Sequence, residues 1–204
     1  MKNIIHTLTP SALVLAAAFV LVSPILASAQ ATDQGDTTVT ATIDPTISMT
    51  TGGTVGVSLA PTTSATLSSA SDTVTVATNS ENGYNLKLSS SDTTNAMSGP
   101  GGDSITAHNG TFSTPTALGT NTWGYRIVGA GGFTSTAYSA ELDATASTST
   151  WAGIPVSSAP QTVKTTAVKS ASSTTTVWYG VKVDASISSG AYSDTVTYTA
   201  TTNL

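Results

Sequence analysis

The sequence predicts an all-β fold, a single antiparallel β-sandwich of the immunoglobulin-like or pilin-like kind. Three observations predict it. Apolar residues recur at every second position in short runs. Gly, Pro, Ser and Asn separate those runs. Helical periodicity is nearly absent beyond the first thirty residues, and β-branched threonine makes up about a fifth of the chain. A closed barrel shares this pattern and is the alternative.

Val39, Ala41 and Ile43 alternate with threonines and predict a first strand, ended by Asp44-Pro45. Val55, Val57 and Leu59 predict a second, stopped by Pro61. Val74 and Val76 are followed by Asn82-Gly83, a strong turn signal, and then by Tyr84, Leu86 and Leu88. Residues 73–90 therefore read as a hairpin with "SENG" as its loop. Residues 91–120 are rich in Gly, Ser, Pro and Thr and read as a loop, tethered by Ile105, Phe112 and Leu118. Trp123, Tyr125 and Ile127 alternate in the next strand. Residues 133–160 are irregular, with Phe133, Tyr138, Leu142 and Trp151 as anchors and a short helix around Leu142. Val163 and Val168 belong to one more strand. Residues 177–202 read as a terminal hairpin. Tyr179, Val181, Val183, Val196 and Tyr198 face its core, and Thr195, Thr197, Thr199 and Thr201 face water.

The first 29 residues read as a secretory signal. Lys2 supplies the positive charge, Ala12–Val22 the apolar run, and Ala27-Ser28-Ala29 the small residues that precede cleavage. Cleavage before Gln30 is expected, with cleavage before Thr32 as the alternative. Residues 30–36 then form a flexible lead and residues 37–204 the β-sandwich domain. The implied location is secreted, at the cell surface.

Cysteine is absent, which removes thiol chemistry and thiolate metal sites. Six basic residues face eleven acidic ones with no basic cluster. Neither nucleic acid nor an anionic membrane, after signal cleavage, is expected as a partner. Beyond the signal, His108 is the only histidine, and a lone loop histidine reads as a solvated surface residue. "GGDSI" at 101–105 resembles a lipase and esterase block, but no histidine follows His108 to serve as base. Glu141 and Asp143 read as a solvated turn rather than as glycosidase acids. "DQGD" at 33–36 lacks the acid spacing of a known calcium loop, and calcium would be sought first around Asp92 and Asp103. No catalytic residue, metal or cofactor is assigned, and the chain reads as non-enzymatic.

Trp123 and Tyr84 share the parity of their aliphatic neighbours and read as core rather than as sugar-stacking platforms. Trp178 has the opposite parity to Val177, Tyr179, Val181 and Val183. It either covers a sheet edge or contacts a partner, and it is the one candidate contact residue. The threonine row could in principle order water as an ice-binding face, but a twisted strand is a poor platform for that.

"TNSENGYNLKLSSSD", "NTWGYRI", "WAGIPVSS" and "TVWYGVKVDASISSGAYSDTVTYTATTN" together resemble secreted, Thr-rich surface proteins of Saccharibacteria-like and Gram-positive-type bacteria. More remotely, the layout is similar to the WxL domain, a β-rich module of non-covalent cell-wall association. In place of its Trp-x-Leu triplets stand Trp123-Gly124-Tyr125, Trp151-Ala152-Gly153 and Trp178-Tyr179-Gly180. The resemblance implies a non-catalytic structural or interaction protein, held non-covalently to an envelope component, to another surface protein or to itself. A pilus-like subunit assembling by strand exchange is one alternative. A carbohydrate-binding module is the other.

Overall fold

The computed structural model describes residues 31–203, so the expected signal and its cleavage site lie outside the described residues. Residues from Thr42 onward belong to one compact unit. Eleven strands are described: β1 (Ile47–Thr50), β2 (Thr66–Thr78), β3 (Tyr84–Ser90), β4 (Met97–Ser98), β5 (Ser104–Ala107), β6 (Thr116–Ala117), β7 (Thr122–Ile127), β8 (Thr150–Trp151), β9 (Gln161–Thr165), β10 (Ser170–Val183) and β11 (Val196–Thr202). One sheet runs β1-β2-β10-β7-β5-β4 and a second runs β11-β3-β9. They pack face to face as a β-sandwich. β6 and β8 form a small separate ribbon. All pairings are antiparallel except β5 with β7, which is parallel.

The core lies where the alternating residues of the two sheets meet. Val74 and Val76 of β2, Tyr125 of β7 and Val177 of β10 face Leu86 and Leu88 of β3 and Val163 of β9. Tyr84 and Trp123 are buried in the same core, as their parity predicts. Ile105 and Leu118 are buried too, and Phe112 packs against the core, so the long Gly-rich connection is tethered as expected. A hydrogen bond of 2.6 Å between the Tyr179 and Tyr198 hydroxyls ties the sheets together through their interior. Burial pushes both phenols well above their usual range, so both are neutral and one can donate to the other.

Neither expected hairpin forms. β2 and β3 lie in opposite sheets, joined by an arch over Ser80-Glu81-Asn82-Gly83. The Asn-Gly turn is present, with Gly83 N–H donating to the Ser80 carbonyl at 3.0 Å. Gly83 has a φ of 75°, and a Cβ there would strike Thr166. β10 and β11 are likewise in opposite sheets. Alternation fixes which face of a strand is buried, and an arch buries the same residues as a hairpin.

Three further expectations need correction. Residues 37–43 form no strand; Val39 is 87% exposed and Ile43 82% exposed. Leu142 and Val168 are exposed rather than anchoring, and no helix surrounds Leu142. Val55, Val57 and Leu59 alternate inward as predicted, yet residues 51–60 belong to no strand.

Candidate interaction sites

The outer face of the large sheet carries the second apolar cluster. Strand parity places Leu67 and Ser69 of β2, Trp178, Gly180 and Lys182 of β10, and Gly124 and Arg126 of β7 on that face. Register sets Gly180 between Gly124 and Ser69 and Trp178 beside Arg126. The two glycines leave a lane without side chains; the Trp151 ring covers Gly180 and the Ala152 carbonyl covers Gly124. A Cβ on Gly180 would stand 2.6 Å from the Trp151 ring. Leu67, Leu118 and Trp151 are buried here, with Tyr138 and Trp178 packed against them.

Tyr138 meets Trp151 edge-on at 5.7 Å and Trp178 edge-on at 4.9 Å. The Arg126 guanidinium lies 4.1 Å from the centre of the Tyr138 ring and is only 2% exposed. Its Nη2 donates to Ser135 Oγ at 3.2 Å. Burial lowers its pKa, while Tyr138 and Glu141 act to raise it. Burial pushes the Tyr138 phenol up to about 12, so its hydroxyl is present as a donor to Glu141 Oε1 at 3.2 Å. The same carboxylate oxygen accepts from Ser147 and Ser149 at 3.0 and 2.6 Å. Glu141 is therefore a hydrogen-bond hub and not a solvated turn residue. Asp143 accepts the Ala60 N–H at 2.7 Å.

A polar cleft of about 410 Å³ opens between Arg126, Ser135, Tyr138, Glu141, Ser149 and Thr150. Tyr138, Ser147, Ser149 and Glu141 satisfy one another and lock the 128–150 connection, whereas the buried Arg126 Nε has no hydrogen-bond partner among the described residues. Trp178, the sequence candidate, sits at the margin of this lock, half-buried. Sequence reading missed Arg126. Its position opposite Trp178 in the ladder was the available signal, but that pairing needs the strand order.

His108 is half-buried rather than solvated. Its Nδ1 accepts the Gly119 N–H at 3.4 Å and its Nε2 lies 2.9 Å from Thr116 Oγ1. An accepting Nδ1 belongs to the neutral ring. Burial lowers the pKa below its ordinary value of about 6.5. The unfolded chain then binds the proton more readily, so this group removes stability as pH falls through that value. We expect the melting temperature to drop more between pH 7.5 and pH 5 in the wild type than in His108→Gln. Equal drops would show that His108 does not titrate differently on unfolding.

The second candidate lies on the flank of the sandwich beside β2. After β1, Gly52 N–H donates to buried Asp72 at 2.7 Å, and Ala60 is fixed by Asp143. Between these points Val55, Val57 and Leu59 insert against the core. Among the described residues, no hydrogen bond joins the backbone of residues 53–59 to a neighbour. On β2, Leu67 and Ser69 pair outward with Ala144 and Glu141. Ladder parity turns the backbone groups of Ser71 and Thr73 to the same flank. β11 is also an edge strand, with β1 beside it across the flank.

Asp92 caps its own turn, accepting Thr94 N–H and Oγ1–H at 2.8 Å each. Among the described residues, no three His, Asp or Glu side chains converge as metal ligands. None of the described helical turns is long and apolar enough to cross a membrane. No family model, curated protein or solved structure matches the chain.

Proposed function

We propose that this protein is a secreted, non-catalytic structural or interaction protein of the cell surface that works by non-covalent association, in the form of strand exchange between copies. The observation that supports this reading most is the exposed segment at 38–43. Thr38-Val39-Thr40-Ala41-Thr42-Ile43 has the composition and period of a half-buried strand, yet its aliphatic side chains stand in water. Such a segment is a template for pairing with a sheet edge. Edges are on offer at β11 and β9.

The low charge of the chain, 8% Asp, Glu, Lys and Arg, suits assembly, because few like charges oppose close approach of copies. The test is the mass in solution of the chain beginning at Gln30. It is expected to rise with concentration, and to stay monomeric when Val39 and Ile43 are both replaced by Asp. A wild-type chain that remains monomeric at high concentration contradicts the reading.

A further inference from the structure

Residues 54–59 alternate in burial like a β-strand but make no backbone hydrogen bonds among the described residues. The strap Thr54-Val55-Gly56-Val57-Ser58-Leu59 puts its second, fourth and sixth side chains against the core. Its other residues are exposed, and its backbone has no partner among the described residues. The exposed segment Thr38-Val39-Thr40-Ala41-Thr42-Ile43 repeats that order of apolar positions: Val, then Val or Ala, then Leu or Ile. The other strands that carry Thr-Val alternation, such as β2, are already paired and buried. Among the described residues, only 38–43 has the pattern free.

The two segments are not equal as strands. The strap contains Gly56 and Ser58 and is preceded by Gly52 and Gly53, residues that disfavour extended pairing. In 38–43 every position but Ala41 is Thr, Val or Ile. The strap also leaves unused the outward backbone groups of Ser71 and Thr73 on β2.

We propose that residues 38–43 of a second copy of this chain displace the 54–59 strap and take its place in the groove beside β2. Val39, Ala41 and Ile43 enter where Val55, Val57 and Leu59 now sit, and the incoming backbone pairs with the outward groups of Ser71 and Thr73 that the strap leaves unused. The contact is heterologous, so each copy donates to the next and the product is an open chain of subunits. This rests on the assembly reading above and adds the acceptor site.

The test uses the chain from Gln30 carrying Val39→Asp and Ile43→Asp, which blocks its own donor segment, and a synthetic peptide of residues 36–45 as probe. The peptide is expected to bind, and a peptide carrying the same two aspartates at least tenfold more weakly. Cleavage of the strap by thermolysin is expected to speed up severalfold when the peptide is bound. Adding Val57→Thr to the acceptor loosens the strap and is expected to tighten peptide binding severalfold. Peptide binding without strap cleavage, or with affinity indifferent to Val57→Thr, overturns the groove assignment while leaving assembly standing. No binding, together with a monomeric wild-type chain, overturns both.

Discussion

Trp151→Ala is expected to lower the unfolding free energy by about 3–5 kcal/mol, the usual range for deleting a fully buried indole. Trp151 has no exposed surface, and it holds the irregular 128–150 connection onto the outer sheet face. Tyr138 packs on its edge and Arg126 stacks on Tyr138, so the loss reaches both. The indole N–H is buried without a hydrogen-bond partner among the described residues. Trp151→Phe should therefore cost clearly less than Trp151→Ala, because no hydrogen bond is surrendered. Denaturant melts of the three proteins decide this. A cost below about 1 kcal/mol for Trp151→Ala, the range of ordinary surface changes, would mean that the second cluster adds nothing to stability.

Gly180→Ala is expected to cost about 1–3 kcal/mol, although it adds a single methyl in the middle of a strand, where alanine ordinarily gains over glycine. The new Cβ would stand 2.6 Å from the Trp151 ring. The ring cannot retreat without losing Tyr138. In the Trp151→Ala background the methyl finds an empty lane, and Gly180→Ala should become neutral or stabilising. A double-mutant cycle reads this as a coupling of similar size to the single cost. Strict additivity would show that Gly180 is not the floor of the Trp151 site.

Alternation in the sequence sufficed for the class of fold and for most of the core. Tyr84, Leu86, Leu88, Trp123 and Val177 all lie where their parity puts them. Strand pairing was not legible, because Val74 and Leu86 bury the same faces in an arch as in a hairpin. The out-of-phase position of Trp178 was a sound signal with an incomplete meaning. Opposite parity marks the outer face, and a connection some thirty residues upstream covers part of it. Nothing in the order of residues 133–152 announces that Trp151 and Ala152 will lie over Gly180 and Gly124. The two N-terminal alternations look alike in sequence, yet Val55 inserts against the core and Val39 stands in water. That difference is tertiary: strand propensity cannot be realised without an edge to pair with.

The proposed strand exchange gives the aliphatic segment that stands in solvent, with Val39 and Ile43, a role. An exposed Val-x-Ala-x-Ile run is an aggregation hazard unless it has a specific acceptor. The direct measurement is light scattering on the chain from Gln30 over a wide range of concentration, beside the Val39→Asp, Ile43→Asp variant. The account predicts growing assemblies for the wild type, and a monomer with an unchanged melting temperature for the variant. A monomeric wild type, or a variant that assembles equally well, would contradict it.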